Sequence, residues 1–278
     1  MVATRDRCDE LMTTLGHLSR LPERPGVVVV DNGSRDGTVE AVRSKFGHVR
    51  IFAAGSNLGA AARNVGAEMV ATPYVAFADD DSWWAPGALA RAVDHLDASP
   101  RLALLQARIM VGNGLRLDPV CAEMARSPLP HRPDLPGPSL LGFVACGAVV
   151  RRKSFLGAGG FDDLLEFGGE EQLLAQDLAA AGCGLAYVDD VVALHHPSPV
   201  RDHAHRQERQ LRNALLATWM RRPLGICLRR TAAVAARSPY SPSARRSLSQ
   251  AARRLPTALH RRRLLPAHVE AQVALLET

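Results

Sequence analysis

One stretch of this chain reads Gly26-Val27-Val28-Val29-Val30-Asp31-Asn32-Gly33-Ser34, a run of β-branched residues that ends in an acid and a polar turn. Uninterrupted valines are typical of a strand that is buried on both faces of a sheet. Residues 38–46, after the turn, have the spacing of a helix. A buried strand that leads through a turn into a helix predicts an α/β fold with a parallel sheet.

The same alternation continues around this stretch. Helical patterns cover residues 9–21, 59–70 and 86–98, and strand patterns cover residues 49–53 and 74–78. Strands that alternate with helices predict a mixed, mostly parallel, Rossmann-like sheet that is flanked by helices.

The first strand is the least regular part of this pattern. Only residues 1–3 precede the polar run Thr4-Arg5-Asp6-Arg7, whereas about five residues are usual for a strand. Either the strand is short, or its true start lies upstream.

The second half of the chain is less regular. Strand patterns cover residues 102–110 and 143–151, and a helical pattern covers residues 170–181. Residues 126–138 contain five prolines, which predict a loop because proline lacks the backbone donor that helices and inner strands need.

The composition indicates one core. The chain has 278 residues, of which 47% are hydrophobic, and this length is short for two full domains. No apolar run is long enough to span a bilayer, and the charged first ten residues lack a signal-peptide pattern. The five cysteines form no CxxC pair. We therefore expect a soluble, cytoplasmic protein with free thiols.

The charge is distributed unevenly. Residues 201–278 carry 16 arginines and 4 acids, whereas residues 1–200 carry 18 basic and 24 acidic residues. Helical stretches in the arginine-rich part are interrupted by Pro223, Pro239 and Pro256. The sequence thus predicts a basic helical C-terminal extension over residues 201–278 that meets an anionic partner.

Two explanations of the extension remain open. Its leucines and arginines would lie on the anionic inner face of the plasma membrane, or its helices would pack on the catalytic body and expose their arginines to water. A nucleic-acid partner is disfavoured, because Trp219 and Tyr240 are the only aromatic residues among the arginines.

Carboxylates cluster at the predicted strand ends. Asp31 follows one strand, and Asp79-Asp80-Asp81 follow another, and ligands of such sheets bind at the carboxyl ends of the strands. Adjacent carboxylates repel one another unless a cation or hydroxyl donors lie among them, and oxygen ligands suit Mg²⁺ or Mn²⁺. Capping of the next helix is the alternative explanation of the triplet.

Two further groups of residues lie near these acids in the sequence. Asn57 and Arg63 open a predicted helix, and a helix N-terminus with an arginine predicts a diphosphate site, with ordinary capping as the alternative. Trp83 and Trp84 follow the acidic triplet. One of these indoles would stack on a sugar or nucleobase, or both would cover the sheet edge.

Four motifs follow one another in the first third of the chain. They are Thr4-Arg5-Asp6-Arg7, Val30-Asp31-Asn32-Gly33-Ser34-x-Asp36-Gly37-Thr38, Asn57-x-Gly59-x-x-x-Arg63-Asn64-x-Gly66 and Phe77-x-Asp79-Asp80-Asp81. In order and spacing the chain resembles a family 2 glycosyltransferase over about residues 1–200. The resemblance implies the GT-A fold, with a nucleotide-sugar-binding half at residues 1–110 and an acceptor-binding half at residues 111–200.

The resemblance also implies roles for single residues. Asp31 resembles the carboxylate that holds the nucleotide base, and Thr4 and Arg5 fall beside it. Asp79 and Asp81 are similar to the two acids of the DxD motif, in which Asp79 would face the ribose and Asp81 the divalent metal. Asn57, Arg63 and Asp80 complete the expected donor site.

The second half contributes two more matches. Gly168-Gly169-Glu170-Glu171 resembles the Gly-Glu-Asp element whose last acid is the catalytic base. A glutamate replaces the aspartate here, so Glu171 and Glu170 are both expected as the base; favourable interaction with the helix dipole is the alternative. His195 resembles the histidine that completes the metal site, and a structural histidine is equally compatible with the sequence.

The function that follows is the metal-dependent, inverting transfer of a hexose or deoxyhexose from a nucleotide-sugar donor. The acceptor would be a sugar, a lipid-linked glycan or a cell-envelope polysaccharide. Two alternatives remain, a sugar-phosphate nucleotidyltransferase and a catalytically degenerate, transferase-like binding protein. A nucleotidyltransferase normally has a glycine- and basic-rich loop after the first strand, where this chain has Thr4-Arg5-Asp6-Arg7. The nucleotide, sugar and acceptor are not specified by these motifs.

Overall fold

The computed structural model describes residues 1–112, 116–197 and 203–277. It confirms the predicted α/β class, with a parallel sheet flanked by helices. The predicted boundary between residues 200 and 201 lies outside the described residues.

The strands form two sheets. One is fully parallel with the order β3-β2-β1-β5, and the other is mixed with the order β4-β9-β7-β10-β6, with β8 paired to β7. The strands are β1 (Val2–Thr4), β2 (Val28–Asp31), β3 (Arg50–Ala53), β4 (Tyr74–Ala76), β5 (Ala78–Asp79), β6 (Ser82–Trp84), β7 (Leu102–Val111), β8 (Arg116–Leu117), β9 (Ala148–Arg151) and β10 (Gly184–His195).

Helices flank these sheets and form the C-terminal extension. They are α1 (Cys8–Leu18), α2 (Thr38–Lys45), α3 (Ala62–Glu68), α4 (Ala88–Ala98), α5 (Pro119–Ala125), α6 (Arg152–Gly157), α7 (Glu170–Ala180), α8 (His203–Arg221), α9 (Leu224–Arg237), α10 (Pro242–His260) and α11 (Ala267–Leu276). Short 3₁₀ turns lie at Gly59–Ala61 and Ala145–Gly147.

The register of the parallel sheet positions the polar strand ends. Thr4 pairs with Asp31 across β1 and β2, and Ala3 pairs with Asp79 across β1 and β5. Val29 of β2 and Leu11 and Leu15 of α1 belong to one core. Burial of these apolar faces therefore brings the polar ends of three neighbouring strands to one edge of the sheet.

Two local predictions differ from the structure, and the length of the first strand was left open by the sequence. Only Ala148–Arg151 of the predicted strand 143–151 is a strand, because Ala145–Gly147 forms a 3₁₀ turn. Pro256 does not interrupt the helices of the extension, since it lies inside α10. Pro256 and the residue four positions earlier are both exposed. The carbonyl that the proline leaves without a hydrogen-bond partner can therefore face water. β1 is short, with three residues.

The extension packs on the catalytic body rather than lying apart from it. Leu165 and Leu173 of the body share a core with Leu215, Leu216 and Met220 of α8. Arginines of the extension pair with acids of the body, and the buried Arg221 donates to both carboxylate oxygens of Asp177 at 2.5 and 2.8 Å. The described part of the extension is therefore held by packing and by charge.

Two further findings concern the predicted location. No helix in the described ranges is both long enough and apolar enough to cross a membrane. All five cysteines are free thiols.

We expect Arg221→Met to lower the free energy of unfolding by about 3 kcal/mol, because it leaves Asp177 without its buried bidentate partner. Urea denaturation at pH 7 measures this. Arg246→Met is the matched control, since Arg246 is exposed and lies 3.7 Å from Glu208; we expect a change below about 0.5 kcal/mol. Equal losses in the two variants would contradict the idea that the buried pair anchors the extension.

Candidate active site

Asp31 lies at the carboxyl end of β2 with its side chain buried. One carboxylate oxygen, Oδ2, accepts hydrogen bonds from the backbone N–H groups of Gly33 and Ser34 at 3.1 and 3.0 Å. The other, Oδ1, is buried and has no hydrogen-bond partner. The two hydrogen bonds to Oδ2 hold the turn after β2. Oδ1 can accept a hydrogen bond from a ligand.

Each acid of the triplet has a basic side chain beside it. Asp79 pairs with Arg63. Asp80 accepts from the Thr4 hydroxyl at 3.0 Å and lies 2.8 Å from the Arg7 guanidinium. Basic side chains thus reduce the mutual repulsion of these neighbouring carboxylates.

Asp81 lies between two basic side chains. Its Oδ2 accepts from Nη2 of Arg7 at 3.1 Å, and its Oδ1 lies 3.5 Å from Nε2 of His195. Burial would raise the pKa of Asp81, but the hydrogen bonds and charges of His195 and Arg7 lower it to about 2. Burial dominates at Asp80 and raises its pKa to about 7. Neighbouring acids of one triplet therefore differ in their readiness to ionise.

Arg63 crosses the site from the start of α3. Its side chain is buried, its guanidinium lies 5.7 Å from the centre of the Phe161 ring, and its Nε has no hydrogen-bond partner. Although burial opposes the charge, Asp79, Glu171 and Glu170 raise the pKa of Arg63. The arginine is therefore a fixed positive charge among acids from both halves of the chain.

Glu170 and Glu171 begin α7, after Gly169 in the left-handed region at φ 100°. Oε1 of Glu171 accepts from the backbone N–H of Ala145 at 2.6 Å, and Oε2 of the buried Glu170 has no partner. Burial, followed by the charge of Glu170, raises the pKa of Glu171 to about 8, and burial also raises the pKa of Glu170. The protonated form is thus favoured at both carboxyl groups, and a raised pKa makes each carboxylate a stronger base.

Gln106 is a supporting residue that the motifs did not predict. Its side chain, fully buried in β7, accepts from the backbone N–H of Val144 at 2.7 Å and donates to the carbonyl of Gly147 at 3.2 Å. These bonds hold the turn whose Ala145 N–H contacts Glu171. A Cβ on Gly147 would meet Gln106 at 2.7 Å, so this glycine allows packing.

The two indoles cover the sheet rather than offer a face to a sugar. Trp83 and Trp84 are both buried. The Trp83 ring stacks on His17 with centroids 4.0 Å apart, and it stacks on His196 with centroids 4.8 Å apart. Two histidines of the protein therefore stack on Trp83, in the place that the prediction gave to a sugar or nucleobase.

Two predicted donor residues lie at the periphery of this cluster. Arg5 is exposed and lies 3.6 Å from Asp6. Asn57 is exposed, and its amide oxygen accepts from the backbone N–H of Gly59 at 3.0 Å, as in an ordinary turn. Asn32 instead joins the two loops, because it donates to the carbonyl of Gly59 and accepts from Leu58 N–H.

The extension also reaches this site. The Asn213 amide in α8 donates to three carbonyls of the loop before α7, those of Leu165, Phe167 and Gly168. Arg212 bonds the same loop through Glu166. No motif predicted these hydrogen bonds, which hold the segment that leads into Glu170.

The described residues contain no group of three or more His, Cys, Asp or Glu side chains arranged to hold a metal ion. Asp81 and His195, 3.5 Å apart, can contribute two ligands. An ion that takes its remaining ligands from phosphate oxygens and water fits such a pair, and Mg²⁺ and Mn²⁺ behave in this way.

The chain belongs to glycosyl transferase family 2, because the sequence model of that family matches residues 1–157. It is a glycosyltransferase, which leaves no support for the nucleotidyltransferase alternative. The N-acetylglucosaminyl-diphospho-decaprenol L-rhamnosyltransferase of Mycobacterium tuberculosis is 28% identical, with 79% of this chain and 85% of that protein covered.

Solved structures share the fold. S. aureus TarS in complex with UDP-GlcNAc superposes with a TM-score of 0.59 at 18% identity, over 78% of this chain and 64% of that chain, which is just under two thirds of its length. A mannosyltransferase from Pyrobaculum calidifontis in complex with GDP-Man and Mn²⁺ superposes with a TM-score of 0.57 at 21% identity, over 99% of this chain and 77% of that one. These likenesses confirm the GT-A fold.

The raised pKa of Glu171 makes stability depend on pH. The folded protein holds this proton up to about pH 8, whereas the unfolded chain releases it near 4.5. The free energy of unfolding should therefore fall as the pH rises between these values, and Glu171→Gln should flatten this decline. Chemical denaturation at pH 5, 6.5 and 8 measures it. Glu123→Gln, at an exposed position, should keep the wild-type slope; equal slopes in all three proteins would refute the assignment.

Proposed function

We propose that this protein transfers a hexose or deoxyhexose from a nucleotide-diphosphate donor to a hydroxyl of a lipid-linked acceptor, with inversion at the anomeric carbon. The observation that carries the proposal is a set of buried polar atoms without partners at the carboxyl ends of the strands and the start of α7. These atoms are Asp31 Oδ1, Arg63 Nε and Glu170 Oε2. Such atoms are costly to bury unless a ligand completes their hydrogen bonds.

The donor would lie along the polar edge of the parallel sheet. Asp31 Oδ1 would accept from the nucleotide base, Asp79 would face the ribose, and Arg63 would supply positive charge near the diphosphate. Thr4 and Asp80 support this surface through their hydrogen bond of 3.0 Å. Arg5 and Asn57 remain proposed donor contacts at its exposed rim.

The acidic start of α7 supplies the proton acceptor. In its carboxylate form Glu171 would take the proton of the acceptor hydroxyl as that oxygen attacks the anomeric carbon from the face opposite the leaving group, and its raised pKa, about 8, makes that carboxylate a stronger base. The carboxyl is positioned by the Ala145 N–H. Glu170, whose Oε2 has no partner, is the second choice for this role or a ligand of the acceptor.

Asp81 and His195 would hold a divalent cation, Mn²⁺ or Mg²⁺, which neutralises charge on the departing nucleoside diphosphate. Their 3.5 Å separation supports this assignment. The solved mannosyltransferase with the same fold carries Mn²⁺ with its donor.

The acceptor is proposed from the mycobacterial relative, whose name specifies an N-acetylglucosaminyl-diphospho-decaprenol acceptor and L-rhamnose, a deoxyhexose. A sugar on a lipid diphosphate fits the expected acceptor class. The same chemistry would serve cell-envelope polysaccharide synthesis.

Calorimetric titration with UDP, dTDP, GDP and ADP tests the donor site. We expect one nucleotide to bind in the presence of Mn²⁺, and Asp81→Asn to weaken that binding by at least roughly tenfold, since it removes a charged ligand of the cation. Asp9→Asn, an exposed aspartate in α1, is the matched control. A folded protein that binds none of the four nucleotides would instead be the catalytically degenerate, transferase-like binding protein.

We further propose that α9 lies on an anionic membrane surface, at the inner face of the plasma membrane, where a lipid-linked acceptor resides. Leu224 and Leu228 of α9 are 56% and 55% exposed at a four-residue spacing, and Tyr240 beyond it is 90% exposed. The acids described in the extension, Glu208, Glu270 and Glu277, all pair with arginines.

The charge that remains unpaired in the described part of the extension is positive. Among the described residues, the exposed Arg229, Arg237, Arg245 and Arg253 have no acidic partner. Exposed leucines and unpaired arginines in the same helical extension support a peripheral contact with anionic lipid.

Sedimentation with phosphatidylglycerol-containing vesicles tests this contact. We expect binding at low salt that weakens in high salt, and a several-fold smaller bound fraction for Leu224→Ser/Leu228→Ser, because the apolar contact is lost. Phe52→Ser, at an apolar residue exposed on the body, should bind like wild type. Absence of vesicle binding at low salt would remove the membrane proposal and leave the transferase proposal untouched.

A further inference from the structure

Arg7 occupies a position that neither the motifs nor the proposed mechanism explains. It lies just before α1, and its side chain, 30% exposed, reaches the acidic triplet at the end of β5. One guanidinium nitrogen, Nη1, lies 2.8 Å from Oδ1 of Asp80, and the other, Nη2, lies 3.1 Å from Oδ2 of Asp81. A single planar cation thus spans two consecutive carboxylates.

The same carboxylate of Asp81 faces His195. Its Oδ1 lies 3.5 Å from the His195 imidazole, so that Arg7 and His195 approach the two oxygens of one carboxylate. A divalent cation held by Asp81 and His195 would lie next to the guanidinium, and the two like charges would repel. The arginine therefore has to yield at Asp81 if the cation binds there.

We propose that Arg7 and the divalent cation compete for the carboxylate of Asp81. Arg7 keeps the triplet neutralised and in place, and its contact with Asp80 provides an anchor while Asp81 changes partner. Because a diphosphate brings negative charge to the same place, the competition favours entry of the cation together with the donor over entry of the cation alone. This inference rests on the proposed assignment of the cation to Asp81 and His195.

A purely structural explanation of Arg7 makes a different prediction. If the guanidinium only ties α1 to the turn before β6, its loss would lower stability and leave cation affinity unchanged or weaker. Competition instead requires that removing the guanidinium strengthen cation binding. The two explanations thus differ in the sign of one measurable change.

The experiment measures Mn²⁺ binding to the full chain without nucleotide, by the electron paramagnetic resonance signal of free Mn²⁺. We expect Arg7→Gln to bind Mn²⁺ roughly tenfold more tightly than wild type, since a neighbouring positive charge is removed. Arg7→Lys, which keeps the charge, should bind Mn²⁺ like wild type. Arg20→Gln, at an exposed arginine beyond the end of α1, controls for the change in net charge and should also behave like wild type.

Asp81→Asn, alone and combined with Arg7→Gln, separates this inference from the proposed function. Loss of Mn²⁺ binding in both backgrounds is expected. If Asp81→Asn binds Mn²⁺ as wild type does, the metal assignment itself fails. If Asp81→Asn abolishes binding but Arg7→Gln, folded by circular dichroism, binds Mn²⁺ no more tightly than wild type, or if neither wild type nor Arg7→Gln binds Mn²⁺, the competition is overturned.

Discussion

Mutual repulsion among three consecutive carboxylates is the constraint on which the rest of the site depends. Asp79 ends β5, and Asp80 and Asp81, which follow it, are buried, so water screens their negative charge poorly. The fold answers with cations from separate elements, Arg63 of α3 and Arg7 before α1, together with His195 at the end of β10. The loops and helix starts at this sheet edge bring these basic side chains next to the acids and so reduce the repulsion.

The two halves of the chain meet through charge as well as through packing. Arg63 belongs to the first half, yet Glu170 and Glu171 of the second half help to keep it charged. Arg63 in turn lowers the pKa values of both glutamates, but burial outweighs this effect and leaves them raised. A carboxyl poised near neutrality can accept a proton, whereas the fixed guanidinium can neutralise a phosphate.

Local patterns predicted the strand and helix around Asp31 and the acids at the strand ends, because burial and turn chemistry are encoded within a few residues. Contacts between distant residues could not be predicted in this way. Arg7 lies 74 residues from Asp81, and Gln106 lies 38 residues from Val144. Propensity also failed at Pro256, where the carbonyl that the proline leaves without a partner belongs to an exposed residue and can face water.

The hydrogen bonds from the Asn213 amide to the carbonyls of residues 165, 167 and 168 mean that the extension and the loop before α7 have to change together in evolution. This amide is fully buried, its nitrogen donates to backbone carbonyls and its oxygen accepts from the Arg212 side chain, so it tolerates little change on either side. Exchange of the last third of this chain with that of a relative would therefore have to carry the loop before α7 with it. Recombination between such enzymes should succeed at junctions before residue 160 more often than at residue 200.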